Sequence, residues 1–251
     1  MEIRLDNKAM LITGASTGFG RATAVMAAES GAFVGVNYCH SEDEAKKTLS
    51  QVEGAGGKGA LLKADVRDRR QVDRMFDEFA EASGGRLDIL VNNAGSLVGR
   101  TTIEEIDDEL WDEVIRLNTT STVYCTRRAI PMLRANGGGV IVNMSSVAAK
   151  IGGAGGAAHY AAAKGAINSL TVGLAKELAP DNIRVVGLMP GVVPTLFHEK
   201  FTSPEKMEEL REKIPLKHFG KPEQIAAAIV FLSSEYADFI TGAFLNISGG
   251  W

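Results

Sequence analysis

The chain has 251 residues, of which 45% are hydrophobic and 23% are charged; this composition is typical of globular proteins and excludes a disordered chain. Its 27 basic and 31 acidic side chains give a formal net charge of −4, which argues against nucleic acid as a partner. The two cysteines, Cys39 and Cys125, are too few for a disulfide framework or a cysteine-based zinc site, and we expect no bound metal.

Short apolar runs alternate with helical patterns along the chain. The predicted strands are Lys8–Thr13, Phe33–Asn37, Gly59–Ala64, Leu87–Val91, Gly139–Met144, Ile183–Leu188 and Ala243–Ile247. The predicted helices are Gly18–Ser30, Glu42–Val52, Asp68–Ala82, Asp108–Ala135 with a kink near Pro131, Tyr160–Leu178 and Pro222–Ser233. This alternation predicts an α/β fold: a doubly wound, mostly parallel seven-stranded sheet with helices on both faces, formed by one domain over residues 1–251.

One segment, Pro194–Gly220, breaks the alternation. It is polar, contains Pro204 and Pro215, and includes a short charged helix near Glu205–Lys213. Long irregular segments inside compact domains are often active-site lids, so we expect a substrate lid at about 194–220.

No apolar run reaches the length of a transmembrane helix. The N-terminal residues lack the apolar core and the cleavage site of a signal peptide. We therefore expect a cytoplasmic protein with no membrane partner.

A glycine-rich turn, Thr13-Gly14-Ala15-Ser16-Thr17-Gly18-Phe19-Gly20, separates the first strand from the first helix. Glycines at such a turn let the backbone approach a ligand closely, and the helix N-terminus offers free N–H groups to a phosphate. The turn therefore predicts a dinucleotide site, although an ordinary tight turn is the alternative.

The end of the second strand reads Asn37-Tyr38-Cys39-His40-Ser41, and the first carboxylate is Glu42. Many dinucleotide folds carry an acid here that binds the ribose 2′-hydroxyl, and they lack it where a 2′-phosphate must fit. We therefore expect NADP(H) to be favoured and NAD(H) to be accepted. The alternative is a simple loop in which Ser41 caps the next helix.

Two further polar motifs follow strands, namely Asp65-Val66 and Asn92-Asn93-Ala94-Gly95. Ligands of doubly wound sheets bind at the carboxyl ends of the strands, where both motifs lie. Either motif alone is weak evidence, because asparagine and glycine also form ordinary turns.

Tyr160 and Lys164 are four residues apart and therefore share one face of a predicted helix. An ammonium group beside a phenol favours the phenolate and would lower the pKa of the tyrosine. Ser146, just after the fifth strand, is placed to bond the same substrate oxygen. A surface Tyr–Lys pair is the alternative for these two residues alone.

Taken together, these motifs resemble the short-chain dehydrogenase/reductase family in its short, single-domain form. TGASTGFG, DV, NNAG, the asparagine of RLNTT, NMSS, YAAAK and the PG after the sixth strand occur in the family's order over almost the whole chain. The resemblance implies a catalytic tetrad of Asn118, Ser146, Tyr160 and Lys164. Ser146 is preferred to Ser145 because the family places the catalytic serine second, although the interval to Tyr160 is one residue longer than in many members.

The resemblance also implies the cofactor contacts. The residues expected around the dinucleotide are Gly14, Ser16, Thr17, Gly18, Phe19, Gly20, Asn37, Tyr38, His40, Ser41, Asp65, Val66, Asn92, Ala94, Gly95, Tyr160, Lys164, Pro190, Gly191, Val193 and Thr195. In the family, hydride passes between the nicotinamide C4 and a carbonyl or alcohol carbon. The tyrosine acts as acid, the serine holds the substrate oxygen and the lysine tunes the tyrosine.

Hence we expect an NAD(P)(H)-dependent oxidoreductase acting on a carbonyl or alcohol of a small polar substrate. Loop 92–100 and the start of the lid resemble those of reductases of sugar-derived keto acids, with Arg100, Ser146, Phe197 and His198 as substrate residues. A 3-oxoacyl thioester reductase is the alternative, and a non-catalytic nucleotide-sensing regulator is a remote one.

The two longest predicted helices carry apolar residues beyond one core-facing stripe, among them Val123, Ile167, Leu170 and Leu174. The family pairs these helices across a twofold axis and often places the C-terminal Phe244–Trp251 at a second axis. We therefore expect a homotetramer.

Overall fold

Seven parallel strands form the centre of the computed structural model, which describes residues 2–251. The strands are β1 (Ala9–Ile12), β2 (Phe33–Tyr38), β3 (Lys58–Lys63), β4 (Ile89–Asn92), β5 (Gly139–Met144), β6 (Ile183–Pro190) and β7 (Phe244–Ile247). Their order across the sheet is β3-β2-β1-β4-β5-β6-β7, and every neighbouring pair is parallel. The predicted doubly wound sheet is confirmed, and it is parallel throughout.

The described chain contains ten α-helices, six of which pack on the two faces of the sheet. They are α1 (Gly18–Glu29), α2 (Glu42–Gly54), α3 (Arg69–Ala82), α4 (Asp108–Ile115), α5 (Ser121–Ala135), α6 (Ala148–Ile151), α7 (Ala158–Leu178), α8 (Leu196–Phe201), α9 (Pro204–Lys213) and α10 (Pro222–Ser233). One apolar cluster packs α1, α2 and α10 on one face, and a second packs α3, α5 and α7 on the other. Strands such as β1 and β4 are therefore buried on both faces, which explains their continuous apolar sequences.

The strand order reverses between β1 and β4, because the chain runs from β1 outward to β3 and then returns to the other side of β1. A crevice opens outside the carboxyl ends of the strands at such a reversal, and ligands bind there. The glycine-rich turn follows β1, and Asn92-Asn93-Ala94-Gly95 begins at the last residue of β4, so the fold brings both motifs to this crevice.

The segment predicted as one helix over 108–135 is divided. A π-helical turn, Arg116–Thr120, separates α4 from α5, whereas α5 continues through Pro131. The irregularity therefore lies at Asn118 and not near Pro131. The Asn118 side-chain amide donates to the Val114 carbonyl at 3.0 Å and so joins this turn to α4.

The segment expected as a lid contains α8 and α9. Ser203 caps α9 by accepting a hydrogen bond from the Lys206 N–H, and Pro204 occupies its first turn. Across residues 2–251, the helices fall short of the length and apolarity that crossing a membrane requires.

Candidate active site

The turn after β1 can be built only with glycine at its key positions. Gly14 and Gly18 have φ angles of +62° and +55°, in the left-handed region. A Cβ on Gly20 would lie 2.6 Å from the Gly14 carbonyl oxygen. Thr17 is the N-cap residue of α1, and its side chain forms no hydrogen bond with the first N–H groups of the helix. The result is a compact cradle with free donors, which fits a phosphate.

The side chain of Asn37 holds this turn against the end of β3 through hydrogen bonds. Its Oδ1 accepts from the Gly14 N–H at 3.0 Å, and its Nδ2 donates to the carbonyls of Leu62 and Ala64 at 3.1 Å. The side chain is only 2% exposed. The expectation that Asn37 itself faces the ribose is therefore corrected: its amide is consumed by the turn and by β3.

Two residues that the sequence analysis missed also fix the turn. Arg21 and Thr48 both donate to the Ser16 carbonyl, and Arg21 pairs with Glu44 at 2.7 Å. These bonds join the turn to α2. The signal available in the sequence was an arginine directly after the glycine-rich turn.

The residues after β2 and β3 form the side wall of the crevice. His40 is exposed and Cys39 is half-buried, whereas Tyr38 is buried. The Asp65 carboxylate accepts from the Arg67 guanidinium at 2.7–3.0 Å, and Arg67 in turn reaches Glu113 at 2.6 Å. Burial opposes ionisation of Asp65, but these bonds outweigh it and hold its pKa below the ordinary value.

The two asparagines after β4 differ in role. Asn92 is 4% exposed, and its Nδ2 donates to Thr126 and Asn143 at 3.1 and 2.9 Å, so it lies under the crevice and not at its surface. Asn93 donates through Nδ2 to the carbonyls of Thr13 and Gly14 at 2.8 and 3.0 Å. Asn93 therefore ties the end of β4 to the glycine-rich turn, a role that the motif alone did not reveal.

Tyr160 and Lys164 lie on one face of α7, as predicted. The Lys164 Nζ lies 5.7 Å from the centre of the Tyr160 ring and donates to the Met144 carbonyl at 2.8 Å. Burial raises the pKa of Tyr160 to about 12, against a hydrogen bond from Ser146 that lowers it. Burial lowers the pKa of Lys164 to about 8. The expected lowering of the tyrosine pKa by the lysine is thus absent, because desolvation dominates for both groups.

Of the two adjacent serines, Ser146 faces Tyr160. Ser146 is half-buried and its Oγ accepts from the Ala148 N–H at 3.1 Å. Ser145 is 4% exposed, and its Oγ donates to Asn168 at 2.6 Å and to the Lys164 carbonyl at 3.2 Å. Ser145 therefore anchors β5 to α7 and leaves Ser146 as the serine beside the phenol.

Asn118, in the π-helical turn, completes the group. It is 1% exposed; its Nδ2 donates to the Ser96 carbonyl at 2.8 Å and its Oδ1 accepts from the Ser96 N–H at 3.2 Å. A Cβ on Gly95 would lie 2.7 Å from the Asn118 Oδ1 and 3.0 Å from the Lys164 Nζ. Glycine at position 95 thus lets the loop pass directly over both side chains.

The segment after β6 closes the crevice from the other side. The Pro190 carbonyl accepts from Val147, and the Gly191 N–H donates to Ile247 at 2.9 Å. A Cβ on Gly18 would lie 3.7 Å from the Thr195 Cγ2. Thr195 and the glycine-rich turn therefore face each other, whereas the Val193 side chain is 2% exposed and belongs to the core.

Helix α8 places an aromatic cluster beside Tyr160. The centre of the Phe197 ring lies 5.8 Å from that of Tyr160, 5.3 Å from that of His198 and 5.4 Å from that of Phe201. Burial and the Arg100 charge lower the pKa of His198 to about 4, so this imidazole is neutral at physiological pH. Its Nδ1 lies 3.1 Å from the Thr202 hydroxyl.

Arg100 lies in the loop after β4. Its Nη1 donates to the Gly155 carbonyl. Within the described chain it forms no ion pair with Glu104 or Glu105, and Glu105 instead accepts from the Thr102 hydroxyl at 2.9 Å. Arg100 is thus a cation near His198 of α8, without an acidic partner on its own loop.

Residues 14–251 match the family model described as enoyl-(acyl carrier protein) reductase. The uncharacterised oxidoreductase YgfF of Escherichia coli K12 is 40% identical over 243 residues, covering 96% of this chain and 98% of its own. The 3-oxoacyl-(acyl-carrier-protein) reductase FabG of Thermotoga maritima is 37% identical over 249 residues, 99% of each chain. A 7α-hydroxysteroid dehydrogenase complexed with NADH and 7-oxoglycochenodeoxycholic acid has a TM-score of 0.93 at 31% identity, covering 99% of this chain and 96% of that one.

Proposed function

This chain belongs to the short-chain dehydrogenase/reductase family of NAD(P)(H)-dependent oxidoreductases, and we propose that it works as a reductase of small carbonyl compounds. The observation that carries the proposal is the grouping of the Tyr160 phenol with Ser146 and with the Lys164 ammonium, 5.7 Å from the centre of the ring. A phenol that stays protonated at neutral pH is a proton donor, and carbonyl reduction needs one.

The proposed dinucleotide site is the cradle of Gly14, Gly18 and Gly20. A bound nicotinamide supplies the hydride. Tyr160 Oη gives its proton to the carbonyl oxygen, Ser146 Oγ donates a hydrogen bond to the same oxygen, and the Lys164 ammonium lies beside the phenol as it becomes a phenolate. Asn118 holds the loop over Lys164 through its two bonds to Ser96.

The proposed cofactor preference is for NADP(H). The carboxyl end of β2 presents no acid before Glu42, and Glu42 is engaged by Lys46 at 2.8 Å. Nothing there repels a 2′-phosphate, and the exposed His40 and Ser41 are polar neighbours for it. The lack of an arginine directly after Asn37 limits the expected preference over NADH.

The test of this function is the loss of NADPH and NADH absorbance over a panel of ketones, keto acids and 3-oxoacyl thioesters. If the proposal holds, the protein reduces some compounds of the panel, and its kcat/KM is higher with NADPH than with NADH. Tight cofactor binding with no turnover on any compound would instead favour the nucleotide-sensing regulator.

For the substrate, we propose first a small polar keto acid. Arg100 provides a cation near the lid and the neutral His198 a hydrogen-bonding group, and a guanidinium binds carboxylates well. A 3-oxoacyl thioester is the second candidate, favoured by the aromatic rings of α8 and by the 37% identity to a FabG reductase.

A keto acid compared with its methyl ester decides between them. The wild type should prefer the acid, and Arg100→Ala should lose about 2–3 kcal/mol of that preference, a typical value for a hydrogen bond to a charged group. Arg100→Gln is the matched control for the loop, because an amide retains a donor for the Gly155 carbonyl without the charge. Equal rates on acid and ester in every variant would contradict the keto-acid proposal.

We also propose a homotetramer. Val123 and Trp111 are 39% and 37% exposed on α5 and α4, and Leu245 is 40% exposed on the edge strand β7. Leu170 and Leu174 are half-buried, whereas Ile167 is 1% exposed and belongs to the core, which corrects its assignment to the surface. Light scattering that gives a single-chain mass at micromolar concentration would rule the tetramer out.

A further inference from the structure

A third, small apolar cluster lies apart from the two clusters that cover the faces of the sheet. It joins three segments that are distant in the sequence: the segment after β6, helix α9 with the residues that follow it, and the segment after β7. Its members are Val192, Met207, Leu210, Ile214, Phe219 and Trp251. The helix of the lid segment, residues 194–220, is therefore packed against the segment after β7.

Hydrogen bonds fix the base of the lid segment. The Gly220 N–H donates to the Val192 carbonyl at 3.1 Å, so the two ends of the segment meet. A Cβ on Gly220 would lie 2.9 Å from the Val193 Cγ2, which explains the glycine at this crossing. The Leu216 N–H donates to the Gly249 carbonyl at 3.1 Å and joins the end of α9 to the segment after β7.

Trp251 is itself held in place by its own segment. Its N–H donates to the Ser248 Oγ at 3.1 Å, and its carbonyl accepts from the Ser248 Oγ at 3.0 Å and from the Asn246 Nδ2 at 3.2 Å. Gly249 and Gly250 have φ angles of +69° and +97°, in the left-handed region, so the chain turns back at this point. The turn brings the indole to α9 with its backbone already fixed.

Helix α8 lacks such an anchor. None of its six described residues is buried, and Leu196 is 57% exposed. The ring of Phe197 lies 5.8 Å from that of Tyr160, and only two residues separate the end of α8 from the start of α9. The position of α8, and with it that of Phe197, therefore depends on where α9 is held.

We infer that Trp251 is a positioning residue: its indole holds α9, and through α9 it keeps Phe197 beside the Tyr160 phenol when a substrate is bound. This inference rests on the proposed carbonyl reduction. It divides the lid segment into an anchored part, α9, and a part that can be displaced, α8. Tyr160 itself is carried by α7, so Trp251 should affect substrate binding more than the chemical step.

Steady-state kinetics test the inference with the best substrate of the panel. In Trp251→Ala the KM for this substrate should rise at least about fivefold, while kcat stays within about twofold, because the binding that is lost is common to the ground state and the transition state. Trp251→Phe, which keeps an aromatic ring, should restore most of the wild-type KM. Leu216→Ala is the matched control in the same segment, since this side chain is 62% exposed. An unchanged KM in Trp251→Ala, or an effect confined to kcat, would overturn the inference.

Limited proteolysis provides an arm that needs no turnover. Trypsin can cleave α9 after Lys206, Arg211 and Lys213, and cleavage requires local opening of the helix. In Trp251→Ala the rate of cleavage at these sites should rise at least about tenfold, because it follows the population of the open form. Leu216→Ala should keep the wild-type rate. If Trp251→Ala does not fold, Trp251→Leu takes its place in both arms.

The two arms separate the ways of failing. If the wild type reduces no compound of the panel, the proposed function fails, and proteolysis still decides whether Trp251 holds α9. If cleavage of α9 is unchanged in Trp251→Ala and light scattering shows a smaller assembly, Trp251 acts in a contact between subunits. The inference is then wrong even for an active reductase.

Discussion

The parallel strands begin at one side of the sheet, here called the amino edge, and end at the other, here called the carboxyl edge. The buried charged groups at these two edges differ in how they are partnered. At the amino edge, Asp88 is 5% exposed and fully partnered: it accepts from the Ala9 N–H at 2.9 Å and from Arg86 at 2.7 and 2.9 Å, and Lys8 lies 3.3 Å away. Burial opposes ionisation of Asp88, yet these donors and charges hold its pKa below the ordinary value. This edge joins β1 to β4 through one ionised carboxylate.

At the carboxyl edge, Asp65 is paired with Arg67, but two buried polar groups lack such partners. Lys164 is 3% exposed, and no acid among residues 2–251 offsets the lowering of its pKa to about 8. Asn92 Oδ1 has no hydrogen-bond partner within the described chain. Val98 has a φ of +64°, which is rare for a β-branched residue. The buried Lys164 and Asn92 thus lack the partners that satisfy Asp88, as expected where stability is exchanged for activity.

The largest expected effect is on the rate at the carboxyl edge. Tyr160→Phe removes the proton donor but keeps the ring that packs on Phe197. Loss of a general acid typically costs about 10²–10⁴-fold, so kcat should fall by that factor with little change in the Tm or in the Kd for the cofactor. Tyr236→Phe, at a tyrosine that is 49% exposed, is the matched control. Near-full activity of Tyr160→Phe would refute the proposed tetrad.

At the amino edge the effect should fall on stability instead. Asp88→Asn removes the charge of a buried carboxylate that accepts from Ala9 and Arg86, and a hydrogen bond to a charged group contributes about 1.5–3 kcal/mol. Urea unfolding at pH 7 should show a loss near the lower end of this range, because the arginine is partly exposed. The kcat of the folded variant should stay within about twofold of the wild type. A large loss of kcat without loss of stability would contradict the division between the edges.

The pH dependence gives a second measurement of the same variant. Because the pKa of Asp88 is lowered by folding from its ordinary 3.8, the folded state binds fewer protons than the unfolded state in this range. The contribution of Asp88 to stability is therefore present above about pH 4 and lost as the pH falls through the folded pKa. Wild-type stability should fall more steeply below pH 4 than that of Asp88→Asn.

Lys164→Met tests the cost of the uncompensated charge. Burial of the ammonium lowers its pKa to about 8 from 10.5, a shift equivalent to roughly 3 kcal/mol, whereas loss of the bond to the Met144 carbonyl costs about 1–3 kcal/mol. The inactive variant should thus be as stable as the wild type at pH 7, or more stable by up to about 2 kcal/mol.

The sign of the pH dependence is opposite to that of Asp88. The folded-state pKa of a base is lowered here, so the penalty is fully present below about pH 8 and is removed as the pH rises toward 10.5. Wild-type stability should therefore gain relative to that of Lys164→Met between these values. Parallel pH profiles for the two proteins would show that the charge is compensated after all.

The two edges also differ in how far the sequence predicts them. The alternation of strands and helices predicts the sheet, and the glycine-rich turn predicts the crevice, because both signals lie within short stretches of sequence. The spacing of Tyr160 and Lys164 predicts their shared face for the same reason. Asp88 carries no such signal: Arg86 is only two residues away, but Lys8 and the Ala9 N–H belong to the start of β1, which only the fold brings to Asp88.

The direction in which a side chain points is the second feature that the sequence does not predict. Asn37 and His40 are three residues apart in one motif, yet the former is 2% exposed and bonded to the end of β3 and to the turn, while the latter is exposed. The π-helical turn at Asn118 likewise depends on a side-chain bond to Val114 that a helical pattern does not encode. These differences arise from hydrogen bonds formed after the strands assemble.

The smallest expected effect concerns the cofactor, and it follows from the position of Asn37. Asn37→Asp removes both donors to the carbonyls of Leu62 and Ala64, so it should weaken the fold and the binding of both cofactors instead of switching the preference. His40→Asp places the carboxylate on an exposed residue of the same loop, where it repels a 2′-phosphate without disturbing the turn. The ratio of kcat/KM for NADPH to that for NADH should then fall by about tenfold, equivalent to about 1.4 kcal/mol, with an unchanged Tm. A His40→Asn control separates charge from loss of the ring, since it should keep the wild-type ratio. The opposite result would be an unchanged NADPH-to-NADH ratio in His40→Asp and a reversed ratio in a fully stable Asn37→Asp. In that case Asn37, and not His40, faces the ribose.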